Sequence, residues 1–310
     1  MVPHPVIIIH GMGESHTPGY SQAFQDRLAT QLDAAPGQLR FYEVNWSDIG
    51  RVEERDLLDT KGILPQSWFS FNPFNLLGMA AETADKLSGF SNDLRRFLVT
   101  SVGDVFTYLT PIGKREIQDR LKLRILAARD DQIRAGVAVP YISIVAHSLG
   151  SVVAYDLARY FELTPEGRQE IGAARLANFF SFGSPLALFS LLEYKQEQAS
   201  AANRQGLLAD GQTDREYRHP YSRRGIALDL PEGKWLNFYD QQDPLATPLN
   251  AVYASAPVPP NGRPSSPVID IAVQTGVLHS HTRYWENGEV TEEIAKQLNA
   301  TLAALPQRSD

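Results

Sequence analysis

Near the middle of the chain, Tyr141-Ile142-Ser143-Ile144-Val145-Ala146-His147-Ser148-Leu149-Gly150-Ser151 runs an apolar, β-branched stretch straight into a helical one, with a serine at the junction. A serine raised on such a turn offers its hydroxyl as a nucleophile, provided the residues two places either side are too small to collide in a strained backbone. Gly150 meets that condition outright. Ala146 meets it with one methyl to spare and departs from the G-x-S-x-G pattern, which has glycine at both places. A helix beginning at Leu149 would also aim free amide groups and its positive dipole end at negative charge developing beside the serine. The plainer alternative is a serine that only caps a helix. The strand running into Ser148 favours the nucleophile.

A nucleophilic serine needs a base, and the base needs an acid to orient it. Trp235 to Tyr239 reads as a strand, and two carboxylates follow it, Asp240 and Asp243. Val268 to Val273 reads as another, with two histidines after it, His279 and His281. The order serine, aspartate, histidine, each past the carboxyl end of a strand, is the order of a strand-serine-helix hydrolase site. An oxyanion hole in that architecture takes one donor from the residue after the nucleophile, here Leu149. The second comes from an early glycine-rich loop, His10-Gly11-Met12-Gly13, in which Met12 is the expected donor. Taken alone, that loop is an ordinary strand-to-helix turn. His279 and His281 stand at a spacing that suits a metal, but no third ligand lies nearby in the sequence. Ser184, His147 and His10 are read as structural: Pro185 stiffens the turn after Ser184, His147 points away from the nucleophile beside it, and His10 bonds loop backbone.

These residues have to be positioned by a scaffold. Val6 to Ile9 is a β-branched run that reads as a buried strand, and Tyr20, Phe24, Leu28 and Leu32 recur as one face of a helix closed by Pro36-Gly37. Leu39 to Val44, Tyr141 to Ala146 and Leu176 to Phe182 complete six expected strands with the three already named. Leu149 to Phe161 and Thr291 to Leu305 are expected helices, the last with Glu292 and Glu293 in its first turn. Strands alternating with helices predict an α/β fold with a mostly parallel sheet of about six strands. Two stretches break the alternation. From about 48 to 136 lies a mainly helical insertion, with the aromatic run Trp68 to Leu77, one helix face from Leu94 to Leu109 and another from Ile117 to Leu126. It is expected to cap the carboxyl edge of the sheet. Lys195 to Gly233 is polar and expected to be a long surface loop.

Composition sets the outer limits. The 310 residues are 43% hydrophobic and 21% charged, enough to bury a large core in a folded globular chain, and the whole is read as a single domain. A net charge of -7 and no basic cluster interleaved with aromatics argue against nucleic acid as a partner. With no cysteine there is no disulfide framework and no thiol nucleophile. The start lacks a signal peptide's basic region, and no apolar run approaches the roughly 18 residues of a membrane span. A soluble cytoplasmic protein is therefore expected, with the aromatic insertion also suited to peripheral contact with a membrane.

Taken together, the motifs resemble those of the α/β-hydrolase superfamily, and within it the lipase-like and serine esterase members. The resemblance rests on His10 to Gly13 after a strand, Ala146 to Gly150, the turn Gly183-Ser184-Pro185, Asp243-Pro244, and His281 to Tyr284. It spans nearly the whole chain apart from the two irregular stretches. It implies an α/β-hydrolase fold with a helical cap and a triad of Ser148, Asp243 and His281, with Asp240 and His279 as rivals. It implies a serine esterase that forms an acyl-enzyme on esters, lipid-like acyl esters among them, and needs no metal or organic cofactor. A thioesterase or amidase would use the same triad. A non-catalytic protein that binds lipid or a partner through the insertion is the alternative from a different class.

Overall fold

The computed structural model describes residues 2–11, 18–33, 37–49, 108, 111–190, 225–243, 245–253, 267–276 and 281–305. In chain order these form β1 (His4–Ile9), α1 (Gln22–Gln31), β2 (Leu39–Val44), α2 (Pro111–Arg134), β3 (Tyr141–His147), α3 (Leu149–Leu163), α4 (Pro165–Ile171), β4 (Arg175–Phe182), β5 (Trp235–Tyr239), α5 (Asn250–Tyr253), β6 (Val268–Ala272), a 3-10 turn (Arg283–Glu286) and α6 (Gly288–Ala304). The expected strands appear with boundaries within two residues of the sequence reading.

The strands make one six-stranded sheet in the order β2-β1-β3-β4-β5-β6, and every neighbouring pair is parallel. A parallel sheet has to be covered on both faces, which is why Val6, Ile7, Ile8 and Ile9 are all wholly buried. Alternate residues serve opposite faces. Ile7, Ile9, Ile144 and Phe179 pack with Ile117 and Leu121 of α2 and Val153 and Leu157 of α3. Val6, Ile8, Val145, Phe180 and Phe238 pack with Phe24 and Leu28 of α1 and Ile294 and Leu298 of α6. The chain leaves β1 toward β2 on one side and returns to β3 on the other. Sheets of this kind bind ligands in the crevice beyond the carboxyl ends of the strands at that reversal. His10, Gly11 and Ser148 lie at those ends.

Three expectations change. Residues 111–134 were assigned by sequence to the inserted stretch, but they form the crossover helix α2, packed on β1, β2, β3 and α3. Its apolar positions Ile117, Leu121 and Ile125 face the sheet, not the carboxyl edge. Residues 50–107 and 109–110 of the expected cap, which include Trp68 to Leu77 and the face from Leu94 to Leu109 apart from Tyr108, lie outside the described residues. Second, the end of the supposed surface loop is packed: Ile226, Ala227 and Leu230 are buried, and the Asp229 N–H donates to Leu176 O at 2.9 Å. Third, α6 begins at Gly288, ahead of Thr291, because Asn287 Oδ1 accepts from the N–H groups of Glu289 (2.9 Å) and Val290 (3.1 Å). Glu289 holds the first turn, and Glu292 and Glu293 pair with Lys296 one turn later. Among the described residues no helix is long and apolar enough to cross a membrane.

A buried polar ladder ties the early strands to the last helix. His4 Nε2 lies 2.8 Å from Ser143 Oγ, which accepts from Asn178 Nδ2 at 2.9 Å. Asn178 Nδ2 also donates to Thr301 Oγ1 at 2.8 Å, and Gln297 Nε2 donates to Asn178 Oδ1 at 2.9 Å. Burial pushes the His4 imidazole down to about 4, so it is neutral at neutral pH. Its pKa is lower folded than unfolded, so acid favours the unfolded chain. Stability is fully present above the ordinary histidine value of about 6.5 and is lost as pH falls toward 4, by about 3 kcal/mol in all. Urea titrations of wild type and His4→Gln between pH 7 and 4 are expected to show a shallower loss in the variant; parallel losses would contradict the assignment.

Candidate active site

Ser148 joins β3 to α3 with φ of 51° and is the one non-glycine residue with positive φ among the described residues. Such a conformation costs about 1–3 kcal/mol and persists only where its surroundings over-determine it. Those surroundings are visible. The Ser148 N–H donates to Phe182 O at the end of β4 (3.0 Å), and its carbonyl accepts from Ser151 Oγ (2.6 Å) and the Ser151 N–H (2.9 Å). Ser151 Oγ lies 2.7 Å from Ser184 Oγ, so Ser184 is a brace, as read from sequence.

The small neighbours are there because of close approach from β1. A Cβ on Gly150 would stand 2.4 Å from His10 O, and one on Gly11 would stand 2.4 Å from Ser148 Cβ. Ala146 is tolerated because its methyl is buried within the core on one face of the sheet. His10 Nδ1 donates to Gly11 O at 2.7 Å, while its Nε2 accepts from the Trp46 N–H at 3.2 Å. The two rings stack with centroids 5.2 Å apart. His10 thus bonds loop backbone as expected, and holds Gly11 against the serine. Of the two expected oxyanion donors, Leu149 is the first residue of α3, where no earlier helical turn can use its N–H. Met12 lies outside the described residues.

His281 and Asp243 converge on Ser148 from the loops that follow β6 and β5. His281 Nε2 lies 2.8 Å from Ser148 Oγ, and His281 Nδ1 lies 2.8 Å from Asp243 Oδ2 and 3.0 Å from Oδ1. An ionised carboxylate only accepts, so the proton sits on Nδ1 and leaves Nε2 free to accept from the serine. Ser148, Asp243 and His281 are all buried. Burial opposes charge on Asp243, but the His281 ring beside it, the Leu245 N–H and the Tyr284 hydroxyl outweigh that and hold its carboxyl below the ordinary carboxylate range.

Asp240, the rival acid, is occupied elsewhere. Its Oδ2 accepts from the Thr275 N–H (2.6 Å) and Thr275 Oγ1 (2.8 Å), and Oδ1 accepts from the Gln242 N–H (2.8 Å). It ties the turn after β5 to the turn after β6. His279 lies outside the described residues, and among the described residues no cluster of three or more His, Asp or Glu is arranged to hold a metal.

Two contributors escaped the sequence reading. His147 is buried, and its Nε2 donates to the backbone carbonyl of His281 at 2.8 Å, so the residue before Ser148 anchors the loop that carries His281. Tyr284 donates to Asp243 Oδ2 at 3.0 Å. Its spacing of three from His281, on one turn, was the available signal for it. A hollow of about 390 Å³ lined by Ile142, Phe161, Leu176 and Ile226 lies at the amino ends of β3 and β4, the opposite edge of the sheet from this site. A scan against protein-family models finds no match to the chain, and a search of the curated proteins finds none.

The contact between the first loop and the nucleophile turn is testable without any substrate. Gly11→Ala puts a methyl where Ser148 already stands, so one turn has to move. Overpacking of this kind costs about 1–3 kcal/mol, read as a lower urea midpoint with an unchanged slope. An unchanged midpoint would show that Gly11 is not held against Ser148.

Proposed function

We propose that this chain is a serine hydrolase of the α/β-hydrolase type, similar to lipase-like and serine esterase members, and that it cleaves carboxylic esters through an acyl-enzyme. The observation that carries the reading is the run of hydrogen bonds from Ser148 Oγ to His281 Nε2 (2.8 Å) and from His281 Nδ1 to Asp243 Oδ2 (2.8 Å). It starts from the one non-glycine residue with positive φ among the described residues. The order Ser148, Asp243, His281 along the chain and the site's place at the carboxyl ends of a parallel sheet support it further.

In this reading Ser148 Oγ attacks the ester carbonyl carbon as its proton passes to His281 Nε2. The carbonyl π pair moves onto oxygen. The Leu149 N–H and the positive end of α3 meet that charge, with an early-loop amide, Met12, as the second donor. Asp243 holds the ring and balances the imidazolium. As the tetrahedral species collapses, the alkoxide leaves with the proton from His281 and the acyl group stays on Ser148. Water then gives a proton to His281 and attacks the acyl carbon. The released Ser148 Oγ takes the proton back, and the acid departs. If the aromatic run Trp68 to Leu77 caps the site, as expected from sequence, its apolar content would favour an acyl chain over a small polar acid, at about 0.8 kcal/mol for each CH₂ buried.

Hydrolysis of p-nitrophenyl butyrate by purified protein tests the assignment. Ser148→Ala is expected to lower kcat by at least about a thousandfold with the melting temperature retained or raised, since alanine removes no packing. Equal rates in wild type and variant would refute it. Across p-nitrophenyl acetate, butyrate and octanoate, kcat/KM of the wild type is expected to rise with chain length. A flat or falling series would remove the lipid-like substrate and leave a hydrolase of small esters.

A further inference from the structure

We propose that Tyr284 is a positioning residue for this chemistry: its phenol hydroxyl fixes the Asp243 carboxylate in the orientation that His281 requires. The proposal rests on the hydrolase reading above and adds a fourth member to its hydrogen-bonded chain.

The direction of the bond follows from its other partner. Tyr284 Oη lies 2.8 Å from the Asp240 backbone nitrogen and 3.0 Å from Asp243 Oδ2. A backbone N–H only donates, so the phenol oxygen accepts there, and its single proton is left for the carboxylate. Burial, then the Asp243 charge, raises the phenol above its ordinary range, so the proton stays on it.

Both carboxylate oxygens are thereby held. Oδ2 takes the Tyr284 hydroxyl and His281 Nδ1, and Oδ1 takes the Leu245 N–H at 3.0 Å. Rotation about the Cβ–Cγ bond would break at least one of these. Without the phenol, Oδ2 would be tethered only by the group it is meant to orient.

The phenol itself cannot wander. Its ring is fully buried, stacked on Phe182 at 5.9 Å and tilted against His147 at 6.2 Å. On another side, a Cβ on Gly183 would stand 3.0 Å from Tyr284 Cε2. Tyr284 also belongs to the 3-10 turn that starts two residues after His281. The base and the group that orients its acid therefore sit on one short turn, and a displacement of that turn carries both.

Among the described residues, the titratable groups beside the triad include His147, Asp240 and Tyr284. His147 donates to the His281 carbonyl and Asp240 is held by Thr275, so neither changes its side-chain partners when the phenol oxygen is removed. Tyr284→Phe takes one donor from Asp243 and leaves its charge concentrated on His281. The imidazolium is then better stabilised, and the base is less available at low pH.

The test is the pH dependence of ester hydrolysis in wild type, Tyr284→Phe and Thr275→Ala. Tyr284→Phe keeps the ring and is expected to fold. Its kcat should fall about tenfold, the size of one charge-assisted hydrogen bond, with KM within about twofold. The acid limb of its kcat/KM profile should move up by a few tenths of a pH unit. Thr275→Ala removes a nearby buried bond without touching the triad, and should lower the melting temperature while leaving kcat and the limb unmoved. In an Asp243→Asn background, Tyr284→Phe should cost nothing further.

Tyr284→Phe with wild-type kcat and acid limb, or with an equal loss in both backgrounds, overturns the positioning role while Ser148-dependent hydrolysis still stands. If the wild type hydrolyses no ester, or Ser148→Ala hydrolyses as fast, the hydrolase reading fails and this proposal falls with it.

Discussion

A serine held at φ of 51° would relax toward an ordinary turn unless its neighbours prevented it. Here the constraint comes from the strands on either side of β3 at once. The end of β4 receives the Ser148 N–H, the loop after β1 stands where a side chain on Gly11 would meet Ser148 Cβ, and His10 O stands where one on Gly150 would fall. The parallel sheet makes this convergence possible, because β1, β3 and β4 end side by side on one edge. The six-stranded core and its two helical layers act as a vice around one backbone torsion, and the hydroxyl's aim follows from that.

A buried carboxylate places the next demand. Removing Asp243 from water would cost several kcal/mol if it were left unpaired. The demand is met by donors drawn from separate parts of the chain: the His281 ring, the Leu245 amide and the Tyr284 phenol. Asp240, three residues earlier, is satisfied just as fully, but by Thr275. The two aspartates differ in their partners, not in being buried. One joins two turns to each other, and the other faces the histidine. His147 adds the reciprocal link, binding the carbonyl of the residue whose ring serves Ser148. Serine, histidine and aspartate are thus locked by side chain and by backbone, which suits a site that must be ordered before its ligand arrives.

Much of this was legible in sequence because it was local. The β-branched runs announce buried strands, and the strand-serine-helix junction announces Ser148 through the small residues around it. What escaped the reading was of two kinds. Caps and side-chain brackets carry no periodicity, so Asn287 shifted the start of α6 and Ser151 went unremarked beside Ser148. Roles that depend on tertiary approach were invisible too. The choice of Asp243 over Asp240 rested on a dipeptide pattern, whereas the physical difference lies in Thr275, more than thirty residues on. Helix α2 was assigned to an insertion because the interval from β2 is long, although its apolar face at Ile117, Leu121 and Ile125 is that of a helix lying on a sheet. Length pointed one way and periodicity the other, and periodicity was the better guide.

The most direct measurement is covalent labelling of the purified protein with an alkyl fluorophosphonate, followed by intact-mass and peptide mass spectrometry. A serine activated by His281 should take up one equivalent, located on Ser148 and blocked by acid pH that protonates the base. An unmodified protein, or an adduct on any other residue with Ser148 untouched, would contradict a nucleophilic role for the strained serine.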